Sequence, residues 1–137
     1  MAATYNPQLV VATWAGILFQ GEMDGEMYSL EFQEDRNTLH VGAKGHATLT
    51  RNANESAILT VMLSQTSPTN RELSAAYVAN LKGPLLLRDA SEDGLTVVES
   101  EDVVIQKFTK ITRGMEHVAT EWKFILPKCI ATVGGAL

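Results

Sequence analysis

Residues 56–84, SAILTVMLSQTSPTNRELSAAYVANLKGP, change their repeat halfway, and that change decides the fold. Through the first ten positions the pattern has a period of two. Ala57, Leu59, Val61 and Leu63 make one fully apolar face, while Ser56, Ile58, Thr60 and Met62 make a mixed one. Successive side chains of a strand point to opposite faces, so the pattern predicts a central strand covered on one side and partly on the other. The polar run that follows starts a helix. Proline suits the first helical position, and Ser67 before Pro68 can accept from the unpaired N–H groups of a first turn; alternatively Thr69 and Glu72 form a Thr-x-x-Glu capping box. Leu73, Ala76, Tyr77 and Leu81 recur at helical spacing, and Lys82-Gly83-Pro84 supplies a basic last turn, a cap glycine and a stop. The expected helix covers about residues 68–82. A nucleophile would need a base within hydrogen-bond reach, and none lies near Ser64, Thr66 or Ser67 in sequence. Capping accounts for these hydroxyls.

Outward from this stretch the period of two dominates. In MYSLEFQED, Tyr28, Leu30 and Phe32 share one side, and Ser29, Glu31, Gln33 and Asp35 the other. LVVATWAGILF is a dense strand candidate with a bulge or bend at Gly16, and Asp24-Gly25 is a hairpin turn signal. TLHV and HATLTR are short strands around a GAKG turn, closed by the NANE turn. Evenly spaced short strands predict an antiparallel meander folded into a sandwich or barrel. PLLLRD, LTVVESEDVVIQKFTKI and HVATEWKFILPKCIATV read as strands, with ASEDG and TRGM as turns; in the last strand Trp122, Phe124 and Leu126 share a face. The fold class is mainly β, an antiparallel sandwich or barrel with one flanking helix. At 137 residues it forms a single domain over 1–137.

Composition narrows the chemistry. With 45% apolar and 20% charged residues the chain is neither disordered nor fibrous. Cys129, the single cysteine, has no disulfide partner and reads as a small core residue. The N-terminus lacks the basic start of a secretory signal, so synthesis in a reducing, intracellular compartment is expected. A formal net charge of −5 argues against holding DNA, whose affinity for proteins comes from lysine and arginine displacing counterions.

No motif survives as a site of catalysis, metal binding or cofactor binding. His40, His46 and His117 lack metal-ligand spacing. The carboxylates of GEMDGE, EFQED, SEDG and ESED fall at turns or on wet strand faces, and MDGE lacks the ligand spacing of a calcium loop. Gly42 and Gly45 in VGAKGHA bracket a turn and do not form a phosphate cradle. Trp14 and Trp122 suit a core, since the basic groove that accompanies base stacking is missing.

Taken together, EDRNTLHVGAKGHATLT, ILTVMLSQTSPTNRELSAAY and EWKFILPKCIATVGG resemble the short tail tube proteins of contractile-tailed bacteriophages, over roughly residues 9–135. The order of parts carries the resemblance: Asp-x-Asn, a Val-Gly-Ala-x-Gly turn, a strand ending in QTSPTN before a helix, and a late EW-x-F strand before terminal glycines. It implies a non-enzymatic virion protein without cofactors, made in the host cytoplasm. Hexameric rings would stack into a tube inside the tail sheath protein, and the tape measure protein would fill the lumen before double-stranded DNA passes through. The baseplate and tail terminator proteins would meet its ends, and no membrane is involved. On this expectation Glu31, Gln33, Asp35, Thr48 and Thr50 face the lumen. Gly42, Ala43, Lys44 and Gly45, with Asn52 and Asn54, form ring-stacking loops together with both chain ends. The alternatives are a single-ring tail-completion protein, a secretion-tube-like protein, a monomeric small-ligand barrel, and last an enzyme using scattered carboxylates.

Overall fold

A computed structural model describes residues 7–22, 27–90 and 96–134. After a 3₁₀ turn at Pro7–Leu9 come β1 (Val10–Trp14), β2 (Ile17–Leu18), β3 (Tyr28–Phe32), β4 (Asn37–Val41), β5 (Ala47–Arg51) and β6 (Ala57–Ser64). The helix α1 (Thr69–Val78) follows, then β7 (Gly83–Asp89), β8 (Thr96–Ile105), β9 (Ala119–Leu126) and β10 (Ile130–Thr132). The sheet order is β2-β1-β7-β8-β9-β6-β3, all antiparallel, with β10 also on β8. The mainly β fold with one helix is as expected, but the path is not a simple meander. β3 skips its sequence neighbour and pairs with β6, and β4 and β5 pair only with each other.

The sheet folds into two layers at β8. Gly83 opposes Val103 but Leu85 opposes Ser100, so β8 carries one residue more than β7 over this interval. Asp102 takes a φ of 55° there, and such a bulge sharpens the local bend and twist. One layer then contains β2, β1, β7, β10 and the first part of β8; the other contains β3, β6, β9 and the end of β8. Rings from strands that are not neighbours meet between them: Trp14 and Phe124 lie edge to face at 5.1 Å, and Phe19 reaches Phe124 at 5.6 Å. Such pairs add to the area they bury. Leu59, Val61, Leu63, Leu73, Leu85, Val103 and Leu126 complete this core. Trp14 Nε1 donates to Val103 O at 3.0 Å, so its one polar atom is satisfied inside. Cys129 is buried beside the core, and desolvation pushes its thiol pKa up to about 11.

Several local readings need correction. LVVATWAGILF is a hairpin, because Trp14 opposes Ile17 and the chain reverses in two residues, Ala15 and Gly16, with φ of 50° and 83°. Positive φ at both positions is the signature of the turn that matches strand twist. The Asp24-Gly25 turn signal and most of the ASEDG turn lie outside the described residues. β8 stops at Ile105 and residues 106–118 have no regular structure, so the strand expected through KFTKI ends before it. HVATEWKFILPKCIATV breaks at Pro127, but the register holds: Ile125 opposes Val104 and Ile130 opposes Glu99, an equal advance on both strands.

The helix is shorter than expected. It starts at Thr69, with Pro68 in the cap position at φ −66° and no side-chain cap. Thr69 therefore does not form a capping box with Glu72. Its buried hydroxyl accepts from Gln20 N at 3.0 Å and ties the helix start to the segment after β2. The Ser67 hydroxyl accepts from Thr69 N at 3.2 Å and donates to Gln20 O. At the other end Asn80, at φ 50°, replaces Gly83 as the left-handed residue: Asn80 N bonds to Tyr77 O and Leu81 N to Ala76 O. That pair of bonds is a Schellman closure, which asparagine tolerates because αL costs it little. Gly83 serves a different purpose, since a Cβ there would come 2.5 Å from the Cβ of Ala15. β7 can lie against the β1–β2 turn only because that position has no side chain.

Candidate assembly surfaces

Three exposed features bear on the residues singled out from sequence. The first is the outer face of the β3-β6-β9 layer. Directly opposed residues share a face, so Ser29, Thr60 and Lys123 form one row and Glu31, Ile58, Ile125 and Val104 the next. Met62 with Glu121 continues it. Glu121 and Lys123 form a surface ion pair at 3.6 Å, leaving Glu31 as the uncompensated charge in these rows. Hydroxyls and half-buried aliphatic groups make up the rest.

The expected lumen residues divide over this surface and beyond it. Glu31 lies on the outer face, and Gln33 just past the strand accepts from the Ser56 hydroxyl at 2.6 Å. Asp35 is exposed in the connection that leaves the sheet. Thr48 and Thr50 do not extend this wall within the subunit, because β5 belongs to a separate two-stranded ribbon.

That ribbon is the second surface. It continues outward from the β3–β6 pair, whose last bonded positions are Gln33 N and Ser56 O at 3.1 Å. Five residues per strand give it a length of roughly 17 Å. All ten strand residues are exposed. Asn37, Leu39, Val41, Ala47, Leu49 and Arg51 share one face, and Thr38, His40, Thr48 and Thr50 the other. Gly42 N bonds to His46 O at 2.8 Å and Gly45 N to Gly42 O at 2.9 Å, which places Gly42, Ala43, Lys44 and Gly45 at the tip. Asn52 and Asn54 sit at the root. Asn52 Oδ1 accepts from Asn54 N and Asn54 Oδ1 from Ser56 N, consecutive Asx turns that fix the exit of the ribbon. Arg36 and Glu55 pair across the root at 3.6 Å. The stacking loops named from sequence are thus the two ends of one projecting arm.

The third feature is a contact that sequence spacing did not reveal. His117 Nε2 lies 2.7 Å from Ser64 Oγ, which also bonds Thr66 Oγ1 at 2.9 Å. The fold therefore supplies the base that the sequence placed far away. Among the described residues no carboxylate orients the other ring nitrogen, and the pair lies on the surface. With Gln65 Oε1 accepting from Val118 N at 3.2 Å, these bonds fasten the β8–β9 loop to the end of β6. A hydroxyl and an imidazole so placed hold a loop; a nucleophile would further require a third group and an oxyanion site. Among the described residues no three His, Cys, Asp or Glu side chains gather to hold a metal, and no helix is long and apolar enough to cross a membrane.

The molecule is a β-sandwich of two layers with one helix and a projecting ribbon. Among the solved structures that share the fold are a terminator and a cap. One is an extracellular contractile injection system, PVC sheath/tube terminator in the extended state (TM-score 0.64, 7% identity, 96% of this chain and 99% of that chain covered). The other is the anti-feeding prophage cap, an AFP tube terminating cap (TM-score 0.61, 8% identity, 98% and 94% covered). The chain itself belongs to the bacteriophage PhiTE tail tube protein family, whose sequence model matches residues 6–107. It is a structural component of the phage tail. The matched span includes the arm, the helix and β8, while β9 and β10, which the resemblance also included, lie beyond it. None of the curated proteins matches the sequence.

Proposed function

We propose that this chain closes into hexameric rings that stack as the inner tail tube and conduct the genome during ejection. The observation that carries the reading is the arm, a ribbon with an apolar face that stands wholly in solvent in the single subunit. Exposed aliphatic strands are an aggregation hazard for a monomer and an advantage for a subunit with waiting neighbours. The tail sheath protein would surround the tube, the tape measure protein would occupy it before DNA, and baseplate and terminator proteins would bound it. The tube acts in the virion tail and catalyses nothing. The outer face of β3, β6 and β9 is the proposed channel wall, with Glu31, Gln33 and Asp35 at its arm-proximal end. A wall of hydroxyls and aliphatic groups, in which Lys123 is paired with Glu121 and Glu31 stands in excess, offers phosphates no deep binding minimum, and its repulsion acts within about 8 Å at physiological salt.

Electron microscopy of the purified protein tests the assembly. Long hollow tubes with six-fold end views are expected, and dispersed monomers would reject the reading in favour of a small-ligand barrel. A second reading, a single ring that ends a tube, is favoured by the terminator and cap identities of the two structural neighbours. Isolated rings would select it. For the channel wall, converting both Glu31 and Asp35 to lysine should leave tube length unchanged and slow DNA release from virions by tenfold or more, as about 1.4 kcal/mol of added attraction would do. Release at the normal rate would remove these residues from the lumen.

A further inference from the structure

Two exposed apolar surfaces find no cover among the described residues. One is the arm face, where Leu39, Val41 and Leu49 are 59%, 62% and 74% exposed. The other lies on the outside of the opposite layer. Its register aligns Leu18, Thr13, Leu86, Glu99 and Ile130 in one row across β2, β1, β7, β8 and β10. Leu18, Leu86 and Ile130 are 46%, 41% and 56% exposed. Along this row runs a concavity of about 710 Å³, lined by Pro84, Leu86 and Ile130 and by three carboxylates, Glu99, Glu101 and Asp102, against one cation, Lys128.

Charge sorts the two surfaces. Residues 37–51 contain Lys44 and Arg51 and no acidic residue, although the whole chain carries −5. Arm against arm would bring cations together, and concavity against concavity would bring carboxylates together. Arm against concavity satisfies both. Length agrees as well: the arm strands are roughly 17 Å long, and five strands spaced by about 4.8 Å give the row a width of roughly 19 Å.

We propose that the apolar face of the arm of one chain lies along the row from Leu18 to Ile130 of a second copy, with Arg51 at the arm root set against Glu99 and the adjacent Glu101 and Asp102. This deepens the assembly reading above and rests on it. The two surfaces occupy different parts of the subunit, so the contact is head-to-tail and propagates into a closed ring or an open stack wherever two copies do not exchange arms reciprocally.

The test uses full-length protein. Leu49→Cys and Leu86→Cys in the same chain, treated with a short bismaleimide linker, should give a ladder of covalent multimers on denaturing gels. Either substitution alone should give none, because Cys129 is buried. In parallel, Arg51→Glu and Glu99→Lys should each raise the concentration needed for assembly at least about tenfold, and the double variant should recover most of it. Near-ultraviolet circular dichroism checks that each variant is folded. Wild-type tubes with no ladder, and charge variants that assemble normally, would overturn the pairing while leaving the tube intact, and would give the concavity to the sheath or another tail component. Wild-type protein that forms neither rings nor tubes would overturn the assembly reading itself.

Discussion

Alanine at Trp122 is expected to remove about 3–5 kcal/mol of stability, a large part of the roughly 5–15 kcal/mol that holds a domain of this kind together. The side chain is 1% exposed and sits on the inner face of β9 opposite Val61. It does more than fill volume. Trp122 Nε1 donates to Asn70 Oδ1 at 3.0 Å, and Asn70 Nδ2 donates in turn to Ser64 O at 2.9 Å, so the first turn of α1 is bound to β9 and to the end of β6. The indole also meets Phe108 at 5.5 Å, and Phe108 meets Tyr77 at 5.4 Å. Truncation therefore empties the core and frees both the helix and the β8–β9 loop. Phenylalanine keeps most of the ring but leaves Asn70 without its donor, for about 1–3 kcal/mol. Urea denaturation of the protein at a concentration too low for assembly, where ring contacts do not add to stability, compares the two. An alanine variant as stable as the parent would show that the helix is held by something other than this ring.

Excising the arm should have the opposite profile, no loss of fold and complete loss of assembly. Because Gln33 and Ser56 already face each other, removing residues 35–54 and joining Glu34 to Glu55 through Asn-Gly closes the β3–β6 pair as an ordinary hairpin. What disappears within the subunit is an exposed ribbon, the Asn54 acceptor of Ser56 N and a partly exposed ion pair, Arg36–Glu55, which add little to stability. The variant should unfold within about 1 kcal/mol of the parent. Sedimentation velocity should show only monomers at concentrations where the parent forms tubes or rings. Assemblies that persist without the arm would mean that subunits are joined through other surfaces.

The parts of the fold legible from sequence were those whose two faces meet different surroundings. β6 alternates buried and half-buried residues along its whole length, as Ala57, Leu59, Val61 and Leu63 promised, and Trp122, Phe124 and Leu126 do the same on β9. The arm was misplaced for the same physical reason. Leu39, Val41, Ala47 and Leu49 alternate just as core strands do, because a period of two reports that one face wants cover and not which molecule supplies it. The hairpin at Ala15-Gly16 was hidden by an alanine in a conformation that usually demands glycine or asparagine. The end of β8 was hidden by the β-prone residues Phe108, Thr109 and Ile111 that follow it, whereas Phe108 turns aside to meet Trp122. Helix closure fell to Asn80, earlier than the glycine and proline that looked like the stop. Ser64 and His117 are 53 positions apart, and only the pairing of β6 with β9 brings their ends together.

β8 also has a mechanical meaning. Since one unbroken backbone belongs to both layers, force applied to one layer passes to the other through covalent bonds and two hydrogen-bonded ladders, with β7 on one side and β9 and β10 on the other. Sliding the layers apart would require shearing those ladders, which is far harder than easing apart two faces held by side chains alone. A tube assembled as proposed would gain hoop strength from this stitch, and the kink at Asp102 marks where the load changes direction.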